Sequence, residues 1–130
     1  MIILDTHIWI WWVHNTEQLS NSQKETIAAN ELAEIGISAI SLWEIAKLVE
    51  YGRLELPCSI DAWFEKAISY PGIRIIGITP EIAIESTQLP GKFHRDPADQ
   101  IIVATARISD CSLVTSDSKI LDYSYVASVE

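Results

Sequence analysis

Residues 35–51 read IGISAISLWEIAKLVEY, and this stretch decides the fold because its hydrophobic period changes part-way along it. Ile35–Ser38 is a short β-like run, typical of a strand that is buried on both faces. The segment that follows, Ser41–Tyr51, repeats apolar residues at the i, i+3, i+4, i+7 spacing of one helical stripe, at Leu42, Ile45, Ala46 and Val49. Gly52 then ends the pattern. The stretch therefore predicts a strand followed directly by an amphipathic helix.

The same alternation extends along the whole sequence. The other predicted strands are Ile2–Leu4, Ile73–Ile78, Ser112–Thr115 and, more weakly, Tyr125–Val129. Helical patterns fill the gaps, at Ile8–His14, Ser22–Ala33, Ile60–Ser69, from Thr79 to before Pro90, and at Pro97–Ile108. Because the strands read as continuous apolar runs, the sequence predicts an α/β fold with a mostly parallel, twisted sheet of roughly four to five strands, flanked by helices on both faces.

Length and charge exclude several classes of protein. The 130 residues, 48% of them hydrophobic, predict one compact domain over residues 1–130. Nine Lys+Arg against 18 Asp+Glu give a net charge of -9, which argues against a broad basic surface for nucleic acid. The apolar run Ile8–Val13 is shorter than the about 20 residues of a membrane span, and no basic leader precedes it, so we expect a cytoplasmic protein. Cys58 and Cys111 have neither zinc nor disulfide spacing, and we expect two isolated, buried thiols.

Carboxylates recur where predicted strands pass into helices. They are Asp5 after the first strand, Glu44 in the first turn of the helix after the second, Asp96 and Asp99 at the start of the last long helix, and Asp117 after the fourth strand. The carboxyl ends of parallel strands meet at one edge of a sheet, where ligands bind, so these side chains are expected to converge. Clustered carboxylates repel one another unless a cation neutralises them, and oxygen donors without His or Cys favour Mg²⁺ or Mn²⁺ over zinc.

Each of these acids also has a structural interpretation as a helix cap. Ser41 and Glu44 have the spacing of a capping box, and Asp96 precedes a proline at a first helical position. Asp117 has the position of a cap for residues 118–121, and Asp5 has that of a cap for the first helix. Capping explains each acid taken singly, but not an acid at nearly every strand-to-helix junction of one edge. Both interpretations stay open on the sequence alone.

Four ordered motifs resemble those of PIN-domain ribonucleases, in particular the VapC toxins of bacterial and archaeal toxin-antitoxin pairs. The motifs are ILDTH at residues 3–7, ISAISLWEIA at 37–46, HRDPADQIIVATA at 94–106 and LVTSD at 113–117. The resemblance runs the whole length and implies a PIN-like three-layer fold. It also implies that the catalytic and metal-binding acids are Asp5, Glu44, Asp99 and Asp117, with Asp96, Thr6, Thr115 and Ser116 as auxiliary residues.

The resemblance implies endonucleolytic cleavage of RNA that depends on Mg²⁺ or Mn²⁺. A water activated by the metal would attack the phosphodiester and leave a 5′-phosphate and a 3′-hydroxyl, with one or two metal ions. The family further implies a small cognate antitoxin, whose C-terminal segment fills the acidic groove, and a homodimer. The expected RNA contacts are the basic residues nearest the motifs, Arg95, Lys92, Lys119 and Lys47, with specificity set by the loops at 15–21 and 53–59.

Some alternatives stay open. Lys47 has Glu44 and Glu50 within i+3 spacing as ion-pair partners, and His7 and His94 are interpreted as surface or packing residues. Trp43 is predicted to pack against the sheet. One rival function is another Mg²⁺-dependent phosphoryl-transfer domain. Such phosphatases have a D-x-D motif after the first strand, and in this sequence His7 stands at the position of the second Asp. The other is a PIN-like interaction module without activity, which the four retained carboxylates disfavour.

Overall fold

A five-stranded parallel sheet forms the centre of the molecule. The structure is a computed structural model that describes residues 1–14 and 16–130. Its strands are β1 (Ile2–Leu4), β2 (Ile35–Ser38), β3 (Ile73–Ile76), β4 (Ser112–Val114) and β5 (Ser128–Val129). They lie in the order β3-β2-β1-β4-β5, and every neighbouring pair is parallel. The predicted α/β fold with a parallel sheet is confirmed.

Within residues 1–14 and 16–130, seven α-helices flank the sheet. They are α1 (Thr6–His14), α2 (Asn21–Asn30), α3 (Ala39–Glu50), α4 (Ile60–Ile68), α5 (Pro80–Ser86), α6 (Pro97–Ser109) and α7 (Ser118–Leu121), with a short 3₁₀ turn at Thr16–Gln18. Asn15, in the first predicted specificity loop, lies outside the described residues. Of the helices described, none has the length and apolar character that crossing a membrane requires.

The two faces of the sheet bury separate hydrophobic cores. On β1, Ile2 and Leu4 pack into one cluster with α1 and α4, whereas Ile3 packs into the other. That second cluster includes Ile102 and Val103 of α6. Successive strand residues point to opposite faces, so a strand of three consecutive apolar residues supplies both cores. This pattern produces three layers, with helices on either side of the sheet.

The junctions at the carboxyl edge of the sheet are short. Only Asp5 separates β1 from α1, and α3 begins directly after β2. Ser38, the last residue of β2, is also the N-cap of α3, and its hydroxyl accepts a hydrogen bond from the Ile40 N–H at 3.2 Å. Short junctions keep the first turns of these helices beside the strand ends, which fixes where the predicted site residues lie.

Two predictions of burial are wrong. Trp43 is 55% exposed, because α3 buries Ser41 and Ile45, and residue 43 lies about 200° around the helix from each of them. Cys58 is exposed and Cys111 is half-buried. Cys58 lies in the loop before the N-cap Ser59, and loops of this kind run over the protein surface.

Gly36 in β2 gives a test of the packing between strands. A Cβ at this position would lie 2.6 Å from Cδ1 of Ile3 and 2.7 Å from Cδ1 of Ile76. We expect Gly36→Ala to lower the free energy of unfolding by about 1–3 kcal/mol, because these side chains must shift within a packed core. Gly77→Ala is the control, since its Cβ would meet nothing within 4 Å. Urea denaturation measures both, and equal stability of the two variants would contradict this role for Gly36.

Candidate active site

Asp5 is held in place at both of its carboxylate oxygens. With Glu44, Asp96, Asp99 and Asp117 it forms the acidic edge, the group of acids at the carboxyl ends of the strands. Its side chain is only 5% exposed, and each carboxylate oxygen accepts one hydrogen bond. The Thr6 N–H donates to Oδ1 at 2.8 Å, and the Thr115 hydroxyl donates to Oδ2 at 2.7 Å. The carboxylate therefore connects the end of β1 to the turn after β4. These donors satisfy both oxygens of a buried carboxylate.

The turn at Thr115–Asp117 is held from several sides. The Thr115 hydroxyl accepts a hydrogen bond from the Asp117 N–H at 3.0 Å, and Nε2 of His7 accepts one from the Ser116 N–H at 3.2 Å. Oδ1 of Asp117 in turn accepts from the Lys119 N–H at 2.9 Å, which makes Asp117 the N-cap of α7. The predicted auxiliary residues Thr115 and Ser116 thus lie beside Asp5 and Asp117.

Gln23 is a supporting residue that the sequence motifs did not reveal. It is 1% exposed, and its Nε2 donates to the Ser116 hydroxyl at 2.8 Å and to the Thr115 carbonyl at 3.3 Å. Its Oε1 accepts from the Ser20 N–H at 2.9 Å and completes a capping box on α2. The spacing of Ser20 and Gln23 is the available signal, because an S-x-x-Q pattern marks a helix start at Asn21 and turns Gln23 back toward the cap.

Glu44 is bound by a hydroxyl from α1 and does not cap its own helix. The Thr6 hydroxyl donates its one hydrogen to Oε1 of Glu44 at 2.5 Å. The Ser41 hydroxyl oxygen lies 2.8 Å from the Thr6 hydroxyl oxygen, so Ser41 must be the donor in that second hydrogen bond. The capping-box interpretation of Ser41 and Glu44 is therefore wrong, since Ser38 is the cap. Burial raises the pKa of Glu44; the Thr6 hydrogen bond opposes that shift, and the charges of Asp5 and Asp96 add to it.

Asp96 and Asp99 open α6 in different roles. Oδ1 of Asp96 accepts from the Ala98 N–H at 3.0 Å and from the Asp99 N–H at 3.3 Å, so Asp96 is a helix cap as one interpretation predicted. Asp99 faces the acidic edge. Burial raises its pKa from 3.8 to about 7, and further contributions come from the charges of Asp5, Asp96, Asp117 and Glu44. The predicted quartet therefore converges around Asp99.

Two of the three histidines, His7 and His94, touch the acidic residues. Nε2 of His94 lies 3.0 Å from Oδ2 of Asp99 but makes no hydrogen bond within the described residues. Nδ1 of His94 accepts from the Asp96 N–H at 3.4 Å. Nδ1 of His7 lies 3.6 Å from Oδ2 of Asp5. Interpreting His7 and His94 only as surface or packing residues was thus incomplete, because sequence spacing does not reveal contacts between separate elements.

The four predicted RNA-contacting residues lie in three different places. Lys47 pairs with Glu50 at 2.9 Å and lies 5.4 Å from the centre of the Tyr51 ring, so its alternative as an ion-pair partner is confirmed. Lys119 is exposed on α7. Lys92 and Arg95 line one cavity with His94, next to the acidic edge.

The residues present fit a hard divalent cation in their chemistry. All four acids of the quartet offer oxygen donors, and the pKa of Asp99 is raised first by burial and then by the charges of the neighbouring acids. Over residues 1–14 and 16–130, no three His, Cys, Asp or Glu side chains are arranged so that they could hold an ion as they stand. The quartet is thus a set of converging donors and not a preformed cage.

Comparison with known proteins identifies the family. The PIN domain profile matches residues 2–124. The chain belongs to the PIN-domain family. This PIN domain is 36% identical over 120 residues to ribonuclease VapC22 of Mycobacterium tuberculosis (strain ATCC 25618 / H37Rv), which covers 92% of this chain and 88% of the relative. The resemblance predicted from the motifs is confirmed.

Two solved structures are similar to this PIN domain in fold. One is DNA-bound VapBC from Salmonella typhimurium, with a TM-score of 0.73, 22% identity, and coverage of 99% of this chain and 98% of that one. The other is VapBC2 from Rickettsia felis bound to a DNA fragment from their promoter, with a TM-score of 0.72, 18% identity and the same coverage, 99% and 98%. The predicted PIN-like fold is confirmed.

The raised pKa of Asp99 predicts a dependence of stability on pH. Its folded-state pKa of about 7 lies above its ordinary value of 3.8, so the folded protein binds more protons between these values. Stability should therefore fall as pH rises from about 4 to 7, by on the order of a few kcal/mol. Asp99→Asn should remove most of that fall. The measurement is urea denaturation in EDTA across this range.

The matched control is Glu65→Gln, which neutralises an exposed carboxylate on α4. We expect it to keep the fall in stability that the unsubstituted protein has. If the stability of Asp99→Asn and that of Glu65→Gln change with pH in the same way, Asp99 is not the cause of the fall.

Proposed function

We propose that this PIN domain is a metal-dependent endoribonuclease that acts as the toxin of a toxin-antitoxin pair. The observation that carries the proposal is Asp99, whose half-buried carboxyl lies near four other acids at the carboxyl edge of a parallel sheet. A cluster of like charges is unfavourable unless it binds something positive, and perturbed carboxyls of this kind occur at functional sites. The name of the 36% identical relative, a ribonuclease, supports the choice of reaction.

The proposed ion is Mg²⁺ or Mn²⁺, held by Asp5, Glu44, Asp99 and Asp117. When bound, it lowers the pKa of a water ligand and offsets negative charge on the phosphate, so that the phosphodiester bond can be hydrolysed. Asp99, with a pKa of about 7, is close to half-protonated at neutral pH in the absence of a cation. Positive charge at the site favours its ionised form, so Asp99 becomes a full donor only as the site is loaded.

The remaining residues of the site orient these acids. Thr115 donates to Asp5 and accepts from the Asp117 backbone, so one hydroxyl sets the distance between two of the proposed ligands. Thr6 likewise connects two of the proposed ligands, one before α1 and one on α3, because its N–H donates to Asp5 and its hydroxyl donates to Glu44. Ser116, bound by Gln23 and facing His7, keeps the turn after β4 in place. We assign Asp96 an auxiliary role as the cap that directs Asp99.

The proposed partners follow from the site and from the structural neighbours, which include a toxin-antitoxin complex from Klebsiella pneumoniae and VapBC assemblies from two other bacteria. An acidic edge without its cation attracts a Lys or Arg side chain, and a small antitoxin that inserts one would block the site. We further propose a homodimer, and action in the cytoplasm, where the RNA substrate is.

The central test is cleavage of RNA by the purified chain with and without Mg²⁺ or Mn²⁺. We expect metal-dependent cleavage by the unsubstituted protein and a loss of about 100-fold or more in Asp5→Asn and Asp99→Asn, because each removes a charge that the cation needs. Glu65→Gln is the control with the same change in net charge. The measurement is end-group analysis and rate by gel electrophoresis on total RNA and defined transcripts.

Two results would contradict the proposal. Metal-dependent cleavage that is undiminished in both Asp variants would remove the site assignment. No cleavage of any RNA by the antitoxin-free chain, together with no stabilisation of its fold by Mn²⁺, would instead favour the interaction module.

The second test concerns the partner. We expect a small protein encoded beside this gene to co-purify with the chain and to inhibit cleavage. Substituting the basic residues in its C-terminal segment by Ala should weaken inhibition, whereas substituting acidic residues there should not, because the edge that they meet is acidic. Light scattering of the free chain and of the complex measures the stoichiometry. A gene with no such neighbour would contradict the proposed antitoxin. A chain that is monomeric at all concentrations would contradict the proposed homodimer.

A further inference from the structure

A cavity of about 560 Å³ lies against the acidic edge and has the opposite charge. Lys92, His94 and Arg95 line it together with Ser86 and Thr87. Within the described residues, its lining contains no carboxylate, although the chain as a whole has 18 Asp+Glu and only nine Lys+Arg. Two of those nine cations therefore face one small space, and nothing in the proposed metal site uses them.

We propose that this cavity binds the RNA backbone beside the scissile phosphodiester, with Lys92 and Arg95 on a phosphate. The inference rests on the proposed function and names a binding subsite for its substrate. Guanidinium and ammonium groups are the usual partners of phosphate oxygens, whereas the hydroxyls of Ser86 and Thr87 already donate to the carbonyls of Ala83 and Ile84.

The wall that carries the two cations is held rigid. The Tyr123 hydroxyl donates to the Pro90 carbonyl at 2.5 Å, and Gly91, at φ 66°, lies against the Tyr125 ring. A Cβ at Gly91 would lie 2.9 Å from Cε2 of that ring, so this approach requires glycine. At the other end, Nε2 of Gln100 donates to the His94 carbonyl at 3.0 Å. A loop fixed at both ends loses less conformational entropy when its side chains bind a ligand.

The cavity and the acidic edge are continuous through His94. Its ring lines the cavity, and its Nε2 lies 3.0 Å from Oδ2 of Asp99. A ligand that spans both places must therefore present negative charge to Lys92 and Arg95 and also to a cation held by the acids. A phosphodiester backbone has this repeat, because it carries one charge per nucleotide along a single strand.

The cavity is better suited to the backbone than to a base. Phe93, its aromatic residue, packs between the rings of His94 and Tyr123, at centroid distances of 4.4 and 4.8 Å. Its ring is thus already occupied by protein neighbours, whereas base recognition on single strands relies on free aromatic faces. We expect the subsite to raise affinity for RNA without selecting its sequence.

The test is binding of a fluorescent single-stranded RNA of random sequence in Ca²⁺, measured by anisotropy over a range of salt concentrations. The variant Lys92→Ala/Arg95→Ala should bind about tenfold or more weakly. Its plot of log affinity against log salt should be shallower by about 0.7 for each phosphate that the variant no longer binds. Lys66→Ala/Arg74→Ala changes net charge equally at α4 and β3 and should bind like the unsubstituted chain. Lys92→Arg/Arg95→Lys keeps both charges and should bind at nearly the original affinity.

The outcomes separate this inference from the proposed function. Weaker binding and a shallower slope in the first variant alone support the subsite, even if no RNA is cleaved, in which case the proposed nuclease fails by itself. Cleavage that persists, with equal RNA affinity in Lys92→Ala/Arg95→Ala and Lys66→Ala/Arg74→Ala, overturns the subsite and leaves the proposed nuclease standing. A first variant that binds RNA normally but no longer binds the antitoxin would overturn it too, because the cavity would then belong to the protein partner.

Discussion

Mutual repulsion of carboxylates at one edge of the sheet is the constraint on which the site depends. All five strands are parallel, so the residues that follow β1, β2 and β4 are brought to the same edge whatever their charge. Asp5 and Glu44 are each stabilised there by hydroxyl or backbone donors. Asp99 has no such donor to its carboxylate among the described residues, and it has the largest resolved pKa shift, to about 7. Burial and the charges of its four acidic neighbours thus combine at this one residue.

Helix capping and site formation, which competed as explanations of the sequence, prove to be compatible. A carboxylate has two oxygens, and the caps at Asp96 and Asp117 use Oδ1 alone. The second oxygen of each stays available, and its charge still acts on Asp99. For Glu44 the two explanations do exclude each other, because Ser38 caps α3 and Glu44 turns to Thr6 instead. Capping therefore positions Asp96 and Asp117 and leaves one carboxylate oxygen of each free to bind a ligand.

The net charge of -9 also has a structural meaning. It excludes a broad basic surface, but the acids of the quartet converge at one edge while Lys92 and Arg95 line a cavity beside it. Opposite charges separated over a short distance make a local, directional site, unlike a uniform field. A chain that is acidic overall can in this way meet a polyanion through a cation and a few basic side chains.

The sequence by itself determined the parallel α/β fold and the placing of acids at one edge of its sheet. Both follow from local rules, since a two-sided apolar run such as Ile35–Ser38 is a buried strand, and residues directly after such strands share an edge. Only the tertiary structure decided the supports: Gln23 reaching the turn after β4, His94 against Asp99, and Trp43 left exposed. These contacts join residues from elements that are distant along the chain, and their geometry depends on how helices pack and rotate. Periodicity fixes which face of an element is apolar, but it does not specify which polar atoms of two packed elements come within hydrogen-bond distance.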